Sequence, residues 1–185
     1  MPVILPLKGI LPTFGNDCFI APNATIVGDV VMGNHCSIWF NAVLRGDVNS
    51  IRMGNKVNVQ DGAIIHCTYL KAGTIIGNNV SIGHNAIVHG CVIDDNVLIG
   101  MGAIVMDNAE IGSNSIIAAG AVVLANTKIE PGSIYAGVPA KKVKDISEEM
   151  ISGEINRIAE NYVMYSDWFK QPYPNPSTKE RELED

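Results

Sequence analysis

The sequence predicts an all-β protein, a tightly wound parallel β-coil, followed by one C-terminal α-helix. Three observations carry this. Aliphatic side chains recur every six residues over most of the chain, the position four after each is usually small, and beyond Asp145 the apolar spacing becomes that of a helix. Large then small, every six residues, suits a coil whose interior has room for one branched side chain per side and a small one near each corner. The 18 glycines and the density of β-branched residues argue against helix over this stretch.

The elements follow in order. The opening MPVILPLKGILPTFG is apolar but interrupted by Pro2, Pro6, Gly9 and Pro12. Its apolar runs are too short for a signal-peptide core or a membrane span of about 20 residues, so a cytoplasmic location is expected. The repeat then runs through Ile20, Ile26, Met32, Ile38 and Leu44, through Met53, Val59 and Ile65, and through Ile76, Ile82 and Val88. After a five-residue step it resumes at Ile93 and continues by sixes to Ile129 and Tyr135. Ala24, Cys36, Ala42, Ala63, Ala86 and Ala103 are among the small positions, and Gly, Asn and Asp between them supply turn chemistry. An insertion, CTYLKAGT, changes the spacing without changing the register. Asp145 and Glu148 have capping-box spacing, and Ile151, Ile155, Ile158, Tyr162 and Tyr165 form one stripe. An amphipathic helix is therefore expected over 145–170, laid along the coil or a neighbouring subunit, with the coil occupying 1–144. The remainder, 171–185, has three prolines, alternating charge and no stripe, and is expected to be flexible or loosely docked.

The six-residue repeat resembles that of the hexapeptide-repeat proteins over roughly residues 13–140. The resemblance implies a left-handed parallel β-helix of triangular cross-section with three hexads per coil. Handedness comes from the resemblance, since the period alone does not fix it.

A net charge of −6, with no run of Lys or Arg, argues against nucleic-acid and anionic-membrane partners and favours a small-molecule substrate. Cys18, Cys36, Cys67 and Cys91 show no CxxC spacing and read as small buried thiols.

The stretch SIGHNAIVHG places two of the four histidines five residues apart. On a coil the interval acquires a meaning. Leu44, Ile65 and Val88 open hexads on the same side in successive coils, so the residues that follow them, Arg45, His66 and His89, form one outward column at about the strand spacing of 4.8 Å. Two imidazoles one coil apart can reach a common metal. His84 lies on the preceding side, with Asp61 directly beneath it. If three coils pack around a threefold axis, the Arg45/His66/His89 column of one faces the Asp61/His84 column of the next. Three histidines with an open fourth position is the catalytic zinc pattern.

Here the sequence is similar to the γ-class carbonic anhydrases, through LRGD (Leu44–Asp47), NVQDGAIIH (Asn58–His66) and IGHNAIVHG (Ile82–Gly90). The resemblance implies zinc ligands at His66, His84 and His89 in a homotrimer whose metal site is shared between subunits. It also implies a lyase in which metal-bound hydroxide converts CO2 reversibly to bicarbonate. It assigns catalytic roles to Gln60, which orients substrate, to Arg45 and Asp47 as the family's arginine and aspartate, and to Asp61 at the subunit interface, where pairing with Arg45 would serve equally as a structural salt bridge. Imidazole suits Fe2+ or Co2+ as well as Zn2+. The chain departs from the best-studied pattern in lacking the acids that carry protons away. CTYLKAGT has none, and Val48 stands where one such glutamate would lie. Turnover is therefore expected to be weak or dependent on buffer. Tyr162 is a second candidate for contact with substrate, though a core tyrosine accounts for it too. His35 shares no column with the other histidines, Cys67 is out of phase with His66, and Trp39 and Phe40 are expected to face outward as subunit contacts. Two other classes stay open: a CoA-dependent acyltransferase or thioesterase, suggested by the PGSIYAGVPAK ending, and a non-catalytic metal-binding subunit of a larger assembly.

Overall fold

The computed structural model describes residues 1–170 and forms a parallel β-helix with one helix lying along it. The stretch 171–185, expected to be flexible, lies outside the described residues. Residues three hexads apart are hydrogen-bonded neighbours, as the resemblance to the hexapeptide-repeat proteins implies. Leu44 pairs with Ile65, Ile65 with Val88, Val88 with Val105 and Val105 with Val123. This column marks one side of the triangle, called here the histidine side. A second side carries Phe19–Ile20, Ser37–Ile38, Asn58–Val59, Ser81–Ile82, Val97–Ile99 and Ser115–Ile117. The third carries Thr74–Ile76, Val92–Ile93, Glu110–Ile111 and Lys128–Ile129. The long strands Thr25–Met32 and Val43–Met53 turn the corner between the histidine side and the third side without a break.

The large residue of each hexad points inward, and Ile26, Ile38, Leu44, Ile65, Ile82 and Ile99 are among those with no exposed surface. Each such side chain contributes about 1.5–3 kcal/mol relative to an exposed one. Small residues fill the corners, where the chain turns too sharply for a branched side chain, and Ala24, Ala42, Ala63, Ala86, Ala103 and Ala121 are fully buried. The turns themselves use left-handed backbone. One corner stacks Asp17, His35, Lys56, Asn79, Asn96 and Asn114, all at φ between 54° and 57°. His35 is thus an exposed turn residue remote from the other histidines.

The helix comprises Glu148–Met150, a π-helical segment Ile151–Asn156, and Arg157–Lys170. Its start differs from the expected one. The Ser147 hydroxyl accepts from the Met150 N–H at 3.3 Å and caps the helix. Asp145 is instead the end of a strand, Lys141–Asp145, paired antiparallel with Ser133–Ala136 and bonded to Lys142 at 2.7 Å. The capping box fails because strand pairing takes the Asp145 backbone and Lys142 takes its carboxylate.

The helix lies on the second side. Its Ile155, fully buried, packs with Ile116 and Ile134. Towards the other end, Tyr162 and Phe169 meet Trp39 with ring centroids 5.2 and 5.5 Å apart. Trp39 is only 6% exposed, so it is covered by the chain's own helix and does not face outward as a subunit contact. Phe40 is half-buried against the same Phe169 ring, 5.7 Å away. Among the described residues no helix is long and apolar enough to cross a membrane.

Candidate metal centre

The side chains of His66 and His89 project from in-register strands, Ile64–His66 and Ile87–His89, whose partners are Ile64↔Ile87, Ile65↔Val88 and His66↔His89. Alternation places Ile65 and Val88 in the core, which forces both imidazoles outward on one face. His66 Nδ1 and His89 Nε2 face each other at 3.1 Å. The opposite nitrogens are both held by carboxylates: His66 Nε2–H donates to Asp47 Oδ1 at 3.0 Å, and His89 Nδ1–H donates to Asp107 Oδ1 at 2.8 Å.

Those carboxylates settle the tautomers. A neutral imidazole has one N–H, and a carboxylate only accepts, so each proton sits on the carboxylate side. The two facing nitrogens then present lone pairs to each other, an arrangement that asks for a proton or a cation between them. Two Zn–N bonds of about 2.0–2.1 Å at a tetrahedral angle separate their nitrogens by about 3.3 Å, close to the gap seen here. Ligating histidines also have the habit of donating their second N–H to a carboxylate. The residues present therefore fit a divalent metal.

Asp47 is anchored in turn by Arg45, which bonds its Oδ2. Burial would raise the Asp47 carboxyl, but the hydrogen bonds from Arg45 and His66 more than offset it, and its pKa lies below the ordinary carboxylate value. Within the chain Arg45 thus pairs with Asp47, and Asp61 pairs with His84.

His84 occupies a corner. Ala86 N–H donates to Gly83 O at 3.0 Å and Asn85 is left-handed, a turn with the type II pattern. Gln60, Asp61, Gly62 and Ala63 form the equivalent turn one coil below, which stacks Asp61 under His84. Asp61 Oδ2 lies 3.0 Å from His84 Nδ1, and the Tyr162 hydroxyl lies 3.4 Å from His84 Nε2. Tyr162 is thus both a packing residue against Trp39 and a polar neighbour of His84. Its hydroxyl is pushed up to about 12, by burial first and by the Asp61 charge second. Gln60 is 5% exposed, with its amide donating to Asn58 Oδ1 at 3.0 Å. Gln60, His84, Met101, Ile116 and Tyr162 are among the residues lining a largely apolar cavity of about 390 Å³ between coil and helix.

The structure thus brings together Arg45, Asp47, His66 and His89 in one group, and Gln60, Asp61, His84 and Tyr162 in another. Among the described residues no three His, Cys, Asp or Glu side chains of one chain could hold a metal together. Asp107 escaped the sequence reading. Its signal is the shortened step after Val88, which brings the corner that follows Val105 against His89.

A family model for "Bacterial transferase hexapeptide (six repeats)" matches residues 12–46 and 90–125. The chain is 48% identical over 168 residues to a carbonic anhydrase of Geobacillus kaustophilus, covering 91% of each chain. It is 39% identical over 157 residues to gamma carbonic anhydrase 2, mitochondrial, of Arabidopsis thaliana, covering 82% of this chain and 56% of that one. Among solved structures, a hexapeptide transferase family protein from Anaplasma phagocytophilum matches with a TM-score of 0.86 at 40% identity, covering 90% of this chain and 98% of that one.

Proposed function

Because the chain belongs to the γ-class carbonic anhydrase-like family of hexapeptide-repeat proteins, we propose that it hydrates CO2 reversibly to bicarbonate at a metal shared between subunits of a homotrimer. The observation that carries this reading is the pair of lone-pair nitrogens, His66 Nδ1 and His89 Nε2, 3.1 Å apart and each backed by a carboxylate. These two residues of one subunit and His84 of the next would hold the ion, Zn2+ in the first place, with Fe2+ or Co2+ chemically admissible. When bound, a divalent metal with an open position lowers the pKa of water from about 15.7 towards 7, which makes a nucleophile at neutral pH.

The chain's own residues do the rest. Asp47, held by Arg45, keeps the proton of His66 on Nε2 and its ligand nitrogen free. In the trimer Arg45 also comes within reach of Asp61 of the neighbour, a pairing that would fix the register between subunits. Gln60, fixed by Asn58, borders the apolar cavity beside His84 and orients an uncharged, apolar substrate there. Tyr162 lies on the opposite wall. The outward face of the histidine side supports association, because exposed Ile64, Met106 and Leu124 flank the imidazoles.

The test uses subunit mixing. Trimers of His84→Ala chains alone and of His89→Ala chains alone should bind no metal and show no CO2 hydration in stopped flow. Mixed trimers should regain both, because a His84→Ala chain beside a His89→Ala chain completes one site. No recovery in mixed trimers would place all ligands in one chain and refute the shared centre. Stoichiometric metal without hydration in the unaltered protein would move the assignment to acyl-thioester chemistry or to a metal-binding assembly subunit.

A further inference from the structure

Asp107 is the carboxylate behind His89 at this centre. It occupies the second position of a turn, Met106 to Ala109, closed by the Ala109 N–H to Met106 O bond of 3.1 Å with left-handed Asn108 at the third position. Its Oδ1 accepts from His89 Nδ1–H at 2.8 Å and from the Thr68 hydroxyl at 3.0 Å.

Two peculiarities of the chain bring these three residues together. The repeat is one residue short after Val88, so the corner below Asp107 closes at Gly90, in left-handed backbone at φ +54°. Asn108 N–H donates to Gly90 O at 2.7 Å, drawing the two corners together. A Cβ on Gly90 would stand 2.1 Å from Asp107 Oδ1, so the space the carboxylate uses exists because residue 90 has no side chain. The insertion after Cys67 doubles back through the Thr68↔Ala72 bridge and sets the Thr68 hydroxyl on the far side of the same oxygen.

The geometry points to Asp107 as a positioning residue that fixes His89 in its Nδ1–H tautomer, with Nε2 aimed at His66, and to Thr68 as the anchor of Asp107. A neutral imidazole without this acceptor has no reason to keep its proton on Nδ1, and a ring protonated on Nε2 turns an N–H towards the ligand position. The insertion, which brings no carboxylate of its own, thus acts on the centre through a hydroxyl. The inference rests on the metal reading for its effect on affinity alone; the tautomer is a property of the chain.

The test compares the unaltered full-length protein with Asp107→Ala, Asp107→Asn and Thr68→Val, each checked for an unchanged unfolding midpoint. Long-range 15N–1H spectra of the chelator-stripped protein, which distinguish Nδ1–H, Nε2–H and doubly protonated rings, read the His89 tautomer. Competition with a chromophoric chelator reads Zn2+ affinity. Asp107→Ala should lose the pure Nδ1–H signature and weaken Zn2+ binding about 10–100-fold. Asp107→Asn keeps an acceptor oxygen and should restore the tautomer and most of the affinity, while Thr68→Val should fall between it and Asp107→Ala. An Asp107→Ala protein with the unaltered tautomer and affinity overturns the assignment, and so does an Asp107→Asn protein indistinguishable from Asp107→Ala. If the unaltered protein binds no Zn2+, the carbonic anhydrase reading fails, and the spectra alone still decide the role of Asp107.

Discussion

At the scale of single residues, position in the repeat decides chemistry. His66 and His89 face each other because each follows an inward aliphatic residue on the same side, and Asp61 stacks under His84 because both are turn residues one coil apart. Counting by sixes makes all of that legible. Asp107 was not legible, because its approach to His89 depends on one missing residue and one absent side chain. The same reasoning sorts the thiols. Cys18 is half-buried and Cys36, Cys67 and Cys91 are buried. A hydrogen bond from the Cys36 thiol holds Cys18 down to about 7 against the opposing effect of burial, and Cys36 moves up in exchange. Burial raises Cys67, and pushes Cys91 up to about 12. The thiolate is the reactive form and appears above the pKa. Iodoacetamide should therefore modify Cys18 first in the folded protein, at a rate that rises through about pH 7, below the ~8.5 of a free thiol. Peptide mapping by mass spectrometry would show this, and equal labelling of Cys91 would contradict it.

At the scale of elements, the C-terminal helix is the piece whose existence was plain and whose details were not. Its stripe predicts an apolar face, and Ile155 and Tyr162 lie on it. The stripe cannot say that the face covers Trp39, because a lone outward aromatic on a coil reads equally well as a contact for another chain. Nor does it reveal the π-helical segment Ile151–Asn156, in which Ile155 reaches the Ile116 and Ile134 cluster. Ile155→Ala removes the fully buried centre of that docking, and should cost about 2–5 kcal/mol in urea unfolding. Because Tyr162 rides on the same helix, the variant should also disturb the His84 environment, visible as a shift of its imidazole resonances.

For the whole molecule, periodicity gives the parallel coil, while the three hexads per coil, and with them the register and the hand, come from the resemblance, and the proposed third ligand depends on how molecules meet. The outward face of the histidine side is where that meeting is expected. Ile64, Met106 and Leu124 are 41, 39 and 48% exposed there. Ile64→Lys should leave a folded monomer that has lost its metal, as read by light scattering and metal analysis, and an unaltered protein that is itself monomeric would remove the basis for the shared site. The reversed strand Lys141–Asp145 bears on the same question from another direction. A stack of parallel strands has no inherent stopping point: its last rung offers the same unpaired amides and carbonyls as every rung before it, a template on which another molecule could continue. Here the final rung runs backwards and carries Lys141, Lys142 and Lys144 on its exposed length. A newcomer would meet the wrong polarity and a row of charged side chains, with Lys142 paired to Glu130 and Asp145, so growth into fibres from this end is discouraged.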